Sequence, residues 1–256
     1  MVSLYQFNDK EICKELLLNQ SISLLYRFES FEVDSKIIAI LDISNYGISS
    51  GNSLIIHEKF GVFFDIRTTK ELINEFYKLN GIGFAMSKAI YALFNFRHYM
   101  PFVFAYVSYM PMTGGSRNSS DWVGLHYIET YYQDNKSAYF TTVHGYKIKL
   151  NFPHGNLENR IHDVCMISEK SVSLCKILLQ GGMMDLNPPS NTGMVRKHEN
   201  CKCNKHQSLI QNTLKVDETT DRIIDYILIH LEIENLEAKE LMKLYRYNLN
   251  KLKRLH

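Results

Sequence analysis

The hydrophobic positions change period several times along the chain. Ile12, Leu16, Leu17 and Leu18 fall at helical spacing with polar residues between them, so the first thirty residues read as a helix. Residues 37–41 are a continuous apolar run inside 31–43, the pattern of a buried strand. A Gly/Ser/Asn cluster over 45–52 predicts a turn. Residues 53–57 and 62–66 then predict two strands joined near Lys59-Phe60-Gly61. Thr68 and Glu71 have the spacing of a capping box, which satisfies two orphan donors at a helix start. In that helix Leu72, Phe76 and Leu79 line one face, and Gly81 can end it. A second helix over 84–94 is apolar on most sides, with Lys88 its only charge.

From Phe102 the period becomes two, with Phe102, Phe104 and Tyr106 alternating with smaller residues. A Gly- and Ser-rich loop over 112–120 leads to a long strand over 122–132. Residues 138–143 and 146–150 predict a hairpin around His144-Gly145. Lys147 and Lys149 sit two apart on its second arm, on one face, turned to solvent or to phosphates. Asn156 is placed to cap a helix that runs to about Leu179, where Gly181-Gly182 stops it. Residues 183–211 contain Pro188-Pro189 and few apolar residues, so they read as a loop or linker. Two helices follow, over 219–231 and 236–255. The last carries Lys243, Arg246, Lys251, Lys253 and Arg254 with no acid after Glu240, beside an apolar stripe of Leu241, Tyr245, Leu249 and Leu252. These elements predict an α+β protein: a mixed or antiparallel sheet with flanking helices and an additional C-terminal basic helix. The divisions are a core over 1–182, a polar Cys/His-containing loop or linker over 183–216, and C-terminal helices over 217–256.

Composition narrows this picture only a little. A chain of 256 residues can bury a sizeable core, and its ordinary charged and apolar fractions exclude disorder of the whole chain. The net charge of +2 is too mild to identify a partner, because a nucleic-acid binder needs local positive charge. Five cysteines, an odd number, with no secretory signal in the first residues, point to free thiols and a cytoplasmic location. The most apolar stretch, 89–112, includes Asn95, Arg97, His98 and Pro101. A cation at mid-bilayer costs about 2.5–3.5 kcal/mol, so no membrane partner is expected.

Charge is distributed unevenly. No acidic residue occurs between Glu75 and Asp121, while Lys78, Lys88, Arg97 and Arg117 fall in that stretch with eleven aromatics. A polyanion is attracted by such a segment and repelled by carboxylates, so this is a candidate nucleic-acid surface. The plainer reading is a hydrophobic core segment with four solvated cations. His198, Cys201, Cys203 and His206 are zinc-ligand types within nine residues. One ion held by all four would strain so short a loop. A partial site completed by another residue or chain is easier, and a polar loop with two reactive thiols is the alternative. Glu158, His162 and Asp163 read as a solvated helix face. No nucleophile elbow, phosphate loop or His-Glu-x-x-His occurs, and Gly81-Ile-Gly83 is incomplete as a dinucleotide fingerprint. Neither an enzyme nor a cofactor is expected.

Taken in order, four stretches resemble one family, the bacterial competence transcription factors of the ComK type. They are Glu29-Ser-Phe-Glu-Val-Asp-Ser-Lys-Ile-Ile-Ala-Ile-Leu41; Leu54-Ile-Ile-His-Glu-Lys-Phe-Gly-Val-Phe-Phe64; Met100-Pro-Phe-Val-Phe104 with Ser108-Tyr-Met-Pro111 and Trp122-Val-Gly-Leu-His-Tyr-Ile128; and Asp221-Arg-Ile-Ile-Asp-Tyr-Ile-Leu-Ile-His-Leu231. The resemblance implies an activator of DNA-uptake genes that binds paired A/T-rich boxes in double-stranded DNA as a homo-oligomer. It also implies RNA polymerase and a proteolytic adaptor as partners. There are departures. The family's Gly-Arg-Lys cluster is reduced to Lys88, its cysteine before the Trp is replaced by Ser119, Ser120 and Asp121, and its adaptor motif has no clear match near 208–211. The non-DNA alternative is a protein-interaction or oligomerisation module.

Overall fold

A computed structural model describes residues 3–79, 87, 91, 100–114, 119–198, 201–204, 221 and 235–252. Mixed helices and sheets make it an α+β fold. One sheet has seven strands in the order β2 (Tyr26–Arg27), β5 (Gly61–Asp65), β4 (Ser53–His57), β3 (Ile37–Asp42), β8 (Trp122–Gly124), β7 (Val107–Pro111) and β6 (Phe102–Phe104). The other has four, in the order β1 (Glu11–Ile12), β11 (Lys147–Asn151), β10 (Ser137–Thr142) and β9 (Ile128–Asp134). Among the described strands, only the short pairs β2–β5 and β1–β11 are parallel.

The seven-stranded sheet is buried on both faces, which explains its unbroken apolar run. Ile40, Ile55 and Phe63 are register partners and share a core with Leu72, Ile73 and Phe76 of helix α1 (Thr69–Leu79). The adjacent row, Leu41, Leu54 and Phe64, belongs to the opposite core. That core also takes Ile12, Ala138, Phe140, Ile148 and Leu150 of the four-stranded sheet, and Leu157, Ile161, Val164 and Val172 of the long helix α2 (Leu157–Gly181). The four-stranded sheet thus hides one face and presents the other, as its alternating burial shows.

Local signals were kept where a short-range bond enforces them. The Thr68 N–H donates to Glu71 Oε2 at 2.8 Å, and the Glu71 N–H donates to Thr68 Oγ1 at 3.3 Å, closing the capping box. Asn156 Oδ1 accepts from the Asn159 N–H at 2.8 Å at the start of α2. Leu79, expected on the packed face of α1, is exposed in its last turn.

Two expectations are corrected. The first thirty residues are not one helix. They make a 3₁₀ turn (Leu4–Phe7), β1, a π turn (Leu16–Gln20), a second 3₁₀ turn (Ile22–Leu24) and β2. Ile12 pairs with Ile148 of β11, so the helical spacing was shared by β1, which buries Ile12, and the π turn, which buries Leu17 and Leu18. The long strand over 122–132 is likewise two strands in different sheets, separated by the 3₁₀ turn Leu125–Tyr127. That turn points the His126 ring inward, where it bonds the Ser35 carbonyl at 3.0 Å and meets Ser108 of β7.

After α2 the chain folds back. The one-turn helix α3 (Met194–Lys197) buries Met194 and Val195 in the core, although 183–216 reads as a polar linker. Gly193 makes that approach possible. Its φ is 52°, and a Cβ there would lie 2.5 Å from the Leu125 carbonyl oxygen. The helix predicted over 84–94 lies outside the described residues apart from Ser87 and Tyr91, and that over 219–231 apart from Asp221. The terminal helix is present as α4 (Asn235–Leu252). Within it Met242 is buried, whereas Leu241 of the expected apolar stripe is exposed.

Candidate nucleic-acid interface and a Cys/His cluster

The open face of the four-stranded sheet carries Lys147 and Lys149 as expected. Their neighbours Ile148 and Leu150 point into the core, and the strand period of two sends both lysines outward. Across the strands Lys149 pairs with Tyr139, and Tyr139 pairs with Tyr132. The two tyrosine rings are stacked at 4.4 Å with planes 2° apart, and the Lys149 ammonium lies 5.4 Å from the Tyr139 centroid. The Tyr139 hydroxyl is the main reason that Lys149 is raised above its ordinary value. Glu11 faces the same surface, 3.8 Å from Lys149 and in register with Lys147, and offsets part of this charge.

The tyrosine pair was missed in the sequence. Its signal was the tight turn between β9 and β10. Asp134 pairs with Ser137 around Asn135, whose φ is 49°, and that register places residue 132 opposite 139. Ending the strand at Tyr132 concealed the pairing.

Of the other predicted cations, two have described side chains, and each is on a different element. Lys78 is exposed on α1, which packs on the far side of the seven-stranded sheet. Lys243 is exposed on α4. Arg246 and Lys251 lie in α4, with side chains outside the described residues. Lys88, Arg97, Arg117, Lys253 and Arg254 also lie outside them. Among the described aromatics of the acid-free stretch, Phe76, Tyr77, Phe102 and Tyr109 are buried together in the core shared with α1. The plainer reading therefore holds for those rings: they pack the fold rather than present a surface.

A groove of about 320 Å³ runs where the two sheets meet, lined in part by Glu58, His126, Tyr127, His144 and Thr192. The Tyr127 hydroxyl donates to Glu58 Oε2 at 3.0 Å, and His144 Nε2 lies 3.1 Å from Glu58 Oε1. Burial, reinforced by Glu58, pushes the Tyr127 phenol far up, so it remains protonated. These contacts tie the turn after β4 to the turn after β10.

The last group joins two distant parts of the chain. His162 on α2 stands beside Cys201 and Cys203, with one donor atom from each within 4.8 Å of the others. His198 packs its ring edge-on to His162, at 5.2 Å between centroids. His206 lies outside the described residues. His162 was read as part of a solvated helix face, because nothing local links it to residues some forty positions later. No disulfide joins the five cysteines, and no helix among the described residues is long and apolar enough to cross a membrane.

No family model, curated protein or solved structure matches this chain.

Proposed function

We propose that the protein is a sequence-selective DNA-binding activator of competence genes that takes A/T-rich boxes in double-stranded DNA as an oligomer in the cytoplasm. The observation that carries this reading is the open sheet face, where Lys147 and Lys149 project beside two tyrosine side chains. Lysine and tyrosine are phosphate-contact groups, and such contacts set affinity and register on the duplex. The resemblance to the ComK type adds the sequence preference. Three of its four stretches fall on β3, on β4 with β5, and on β6 to β8, so they belong to one sheet. A/T-rich DNA is read through a narrow minor groove of enhanced negative potential, which cations enter without a helix-turn-helix. RNA polymerase and a proteolytic adaptor follow from the resemblance as further partners.

The test is a binding titration with duplexes carrying paired A/T-rich boxes, against G/C-rich duplexes of equal length, at two salt concentrations. Salt-sensitive binding with a clear A/T preference is the expected result. Equal, weak binding to both would overturn it in favour of a protein-interaction module. Specific observations favour that second reading: the described aromatics of the acid-free stretch are largely core, and Leu241, Leu244 and Tyr247 are exposed on α4.

A further inference from the structure

The segment that follows α3 is held by little apolar burial. Met194 and Val195 reach the core, but between Arg196 and Asn204 no described residue is fully buried. Lys197 Nζ donates to the Glu129 carbonyl, which fastens α3 itself. Beyond it, the described contacts on α2 include imidazole and thiol groups.

Their geometry is that of metal donors. Cys203 Sγ lies 3.4 Å from His162 Nε2, and Cys201 completes a trio whose donor atoms lie within 4.8 Å of one another. Around one tetrahedral zinc ion, with Zn–S near 2.3 Å and Zn–N near 2.0–2.1 Å, neighbouring donors are roughly 3.3–3.8 Å apart. The trio therefore needs only a small contraction to close on an ion. The His162 ring is suitably turned. Nε2 faces the thiols, while Nδ1 lies 3.9 Å from Asp163 Oδ1. A carboxylate hydrogen-bonded to the second nitrogen orients a ligating imidazole and raises its basicity, and Asp163 stands a small movement short of that bond.

We propose that His162, Cys201 and Cys203 form a structural Zn²⁺ site that clasps residues 201–204 to α2, with His198, whose ring packs against His162 but lies outside that trio, closing in as the fourth donor. Two thiolates and two imidazoles are a donor set that suits zinc over the hard cations, which take oxygen. The site resolves the difficulty posed by the spacing. Four ligands within nine residues would strain the loop, but a histidine from α2 replaces one of them and lets the loop stay open. Zinc binding would release the thiol protons and contribute its free energy to the folded state. This inference is independent of the DNA-binding proposal.

The experiment uses the full chain, purified without a polyhistidine tag, dialysed and assayed for zinc, then stripped and titrated with Co²⁺. One zinc per chain is expected, with thiolate-to-cobalt charge-transfer bands and the visible absorption of a tetrahedral centre. Cys201→Ser, Cys203→Ser and His162→Asn should each abolish stoichiometric zinc. Asp163→Asn should keep the site with affinity about 10–100-fold weaker. To separate ligation from misfolding, melting is measured in excess chelator. There the variants should match the stripped wild type, and only the wild type should gain stability on adding Zn²⁺. A chain that holds no stoichiometric metal, or whose cobalt spectrum is that of the aquo ion or survives both cysteine substitutions, overturns the proposal. An unchanged spectrum in His198→Asn overturns the place of His198 as fourth donor.

Discussion

His57, at the end of β4, is buried with both ring nitrogens engaged. Nε2 lies 3.0 Å from Asp34 Oδ1, while Nδ1 accepts from the Lys59 and Phe60 N–H groups at 3.0 and 3.1 Å. The neutral tautomer with its proton on Nε2 satisfies all three contacts. Protonating Nδ1 would break two of them. Burial accordingly lowers the His57 pKa below its ordinary 6.5, although Asp34 pulls the other way, and burial does the same to His126. In the unfolded chain both imidazoles take up protons as the pH falls through about 6.5, whereas the native ones do not. Their contribution to stability is therefore present above that pH and lost below it. Urea unfolding should show a lower midpoint at pH 5.5 than at pH 7.5. His57→Phe should reduce that difference and, by leaving two turn N–H groups unsatisfied, cost about 1–3 kcal/mol at neutral pH. A midpoint that rises on acidification would refute this account.

Among the elements, the hairpin β10–β11 was the most legible and is the one on which the DNA proposal depends. Alternation placed Lys147 and Lys149 on the outer face before any tertiary contact was known, because a strand has a period of two whatever it pairs with. If both lysines meet phosphates, Lys147→Ala with Lys149→Ala should reduce the log–log salt slope on duplex DNA by about 1.8 and weaken binding across sequences alike. An unchanged slope would remove the sheet face from the interface. The capping box of α1 and the Asn156 cap of α2 were legible for a similar reason: each is a bond between residues three apart. The N-terminal pattern misled because short elements with different partners, here β1 on β11 and β2 on β5, leave a spacing that imitates a helix.

Across the fold, the described cations among those predicted to act together lie on separate elements. Lys78 lies on α1, the lysine pair on the four-stranded sheet and Lys243 on α4. A DNA surface that uses the terminal basic residues should suffer when they are removed. Deleting residues 236–256 is expected to weaken A/T-duplex affinity sharply while leaving the far-UV spectrum of the two-sheet core in place, since no described side chain of α4 belongs to either core cluster. Unchanged affinity would confine the interface to the sheet. The α+β class, most strand positions, the starts of α1, α2 and α4 and the outward pair of lysines were legible in the residues alone, because these depend on side-chain period and on bonds a few residues long. Only the tertiary structure decided which aromatics became core, where the strand over 122–132 changed sheets, and that His162 would meet Cys201 and Cys203. Those outcomes depend on contacts between positions far apart in the chain, which no local pattern encodes.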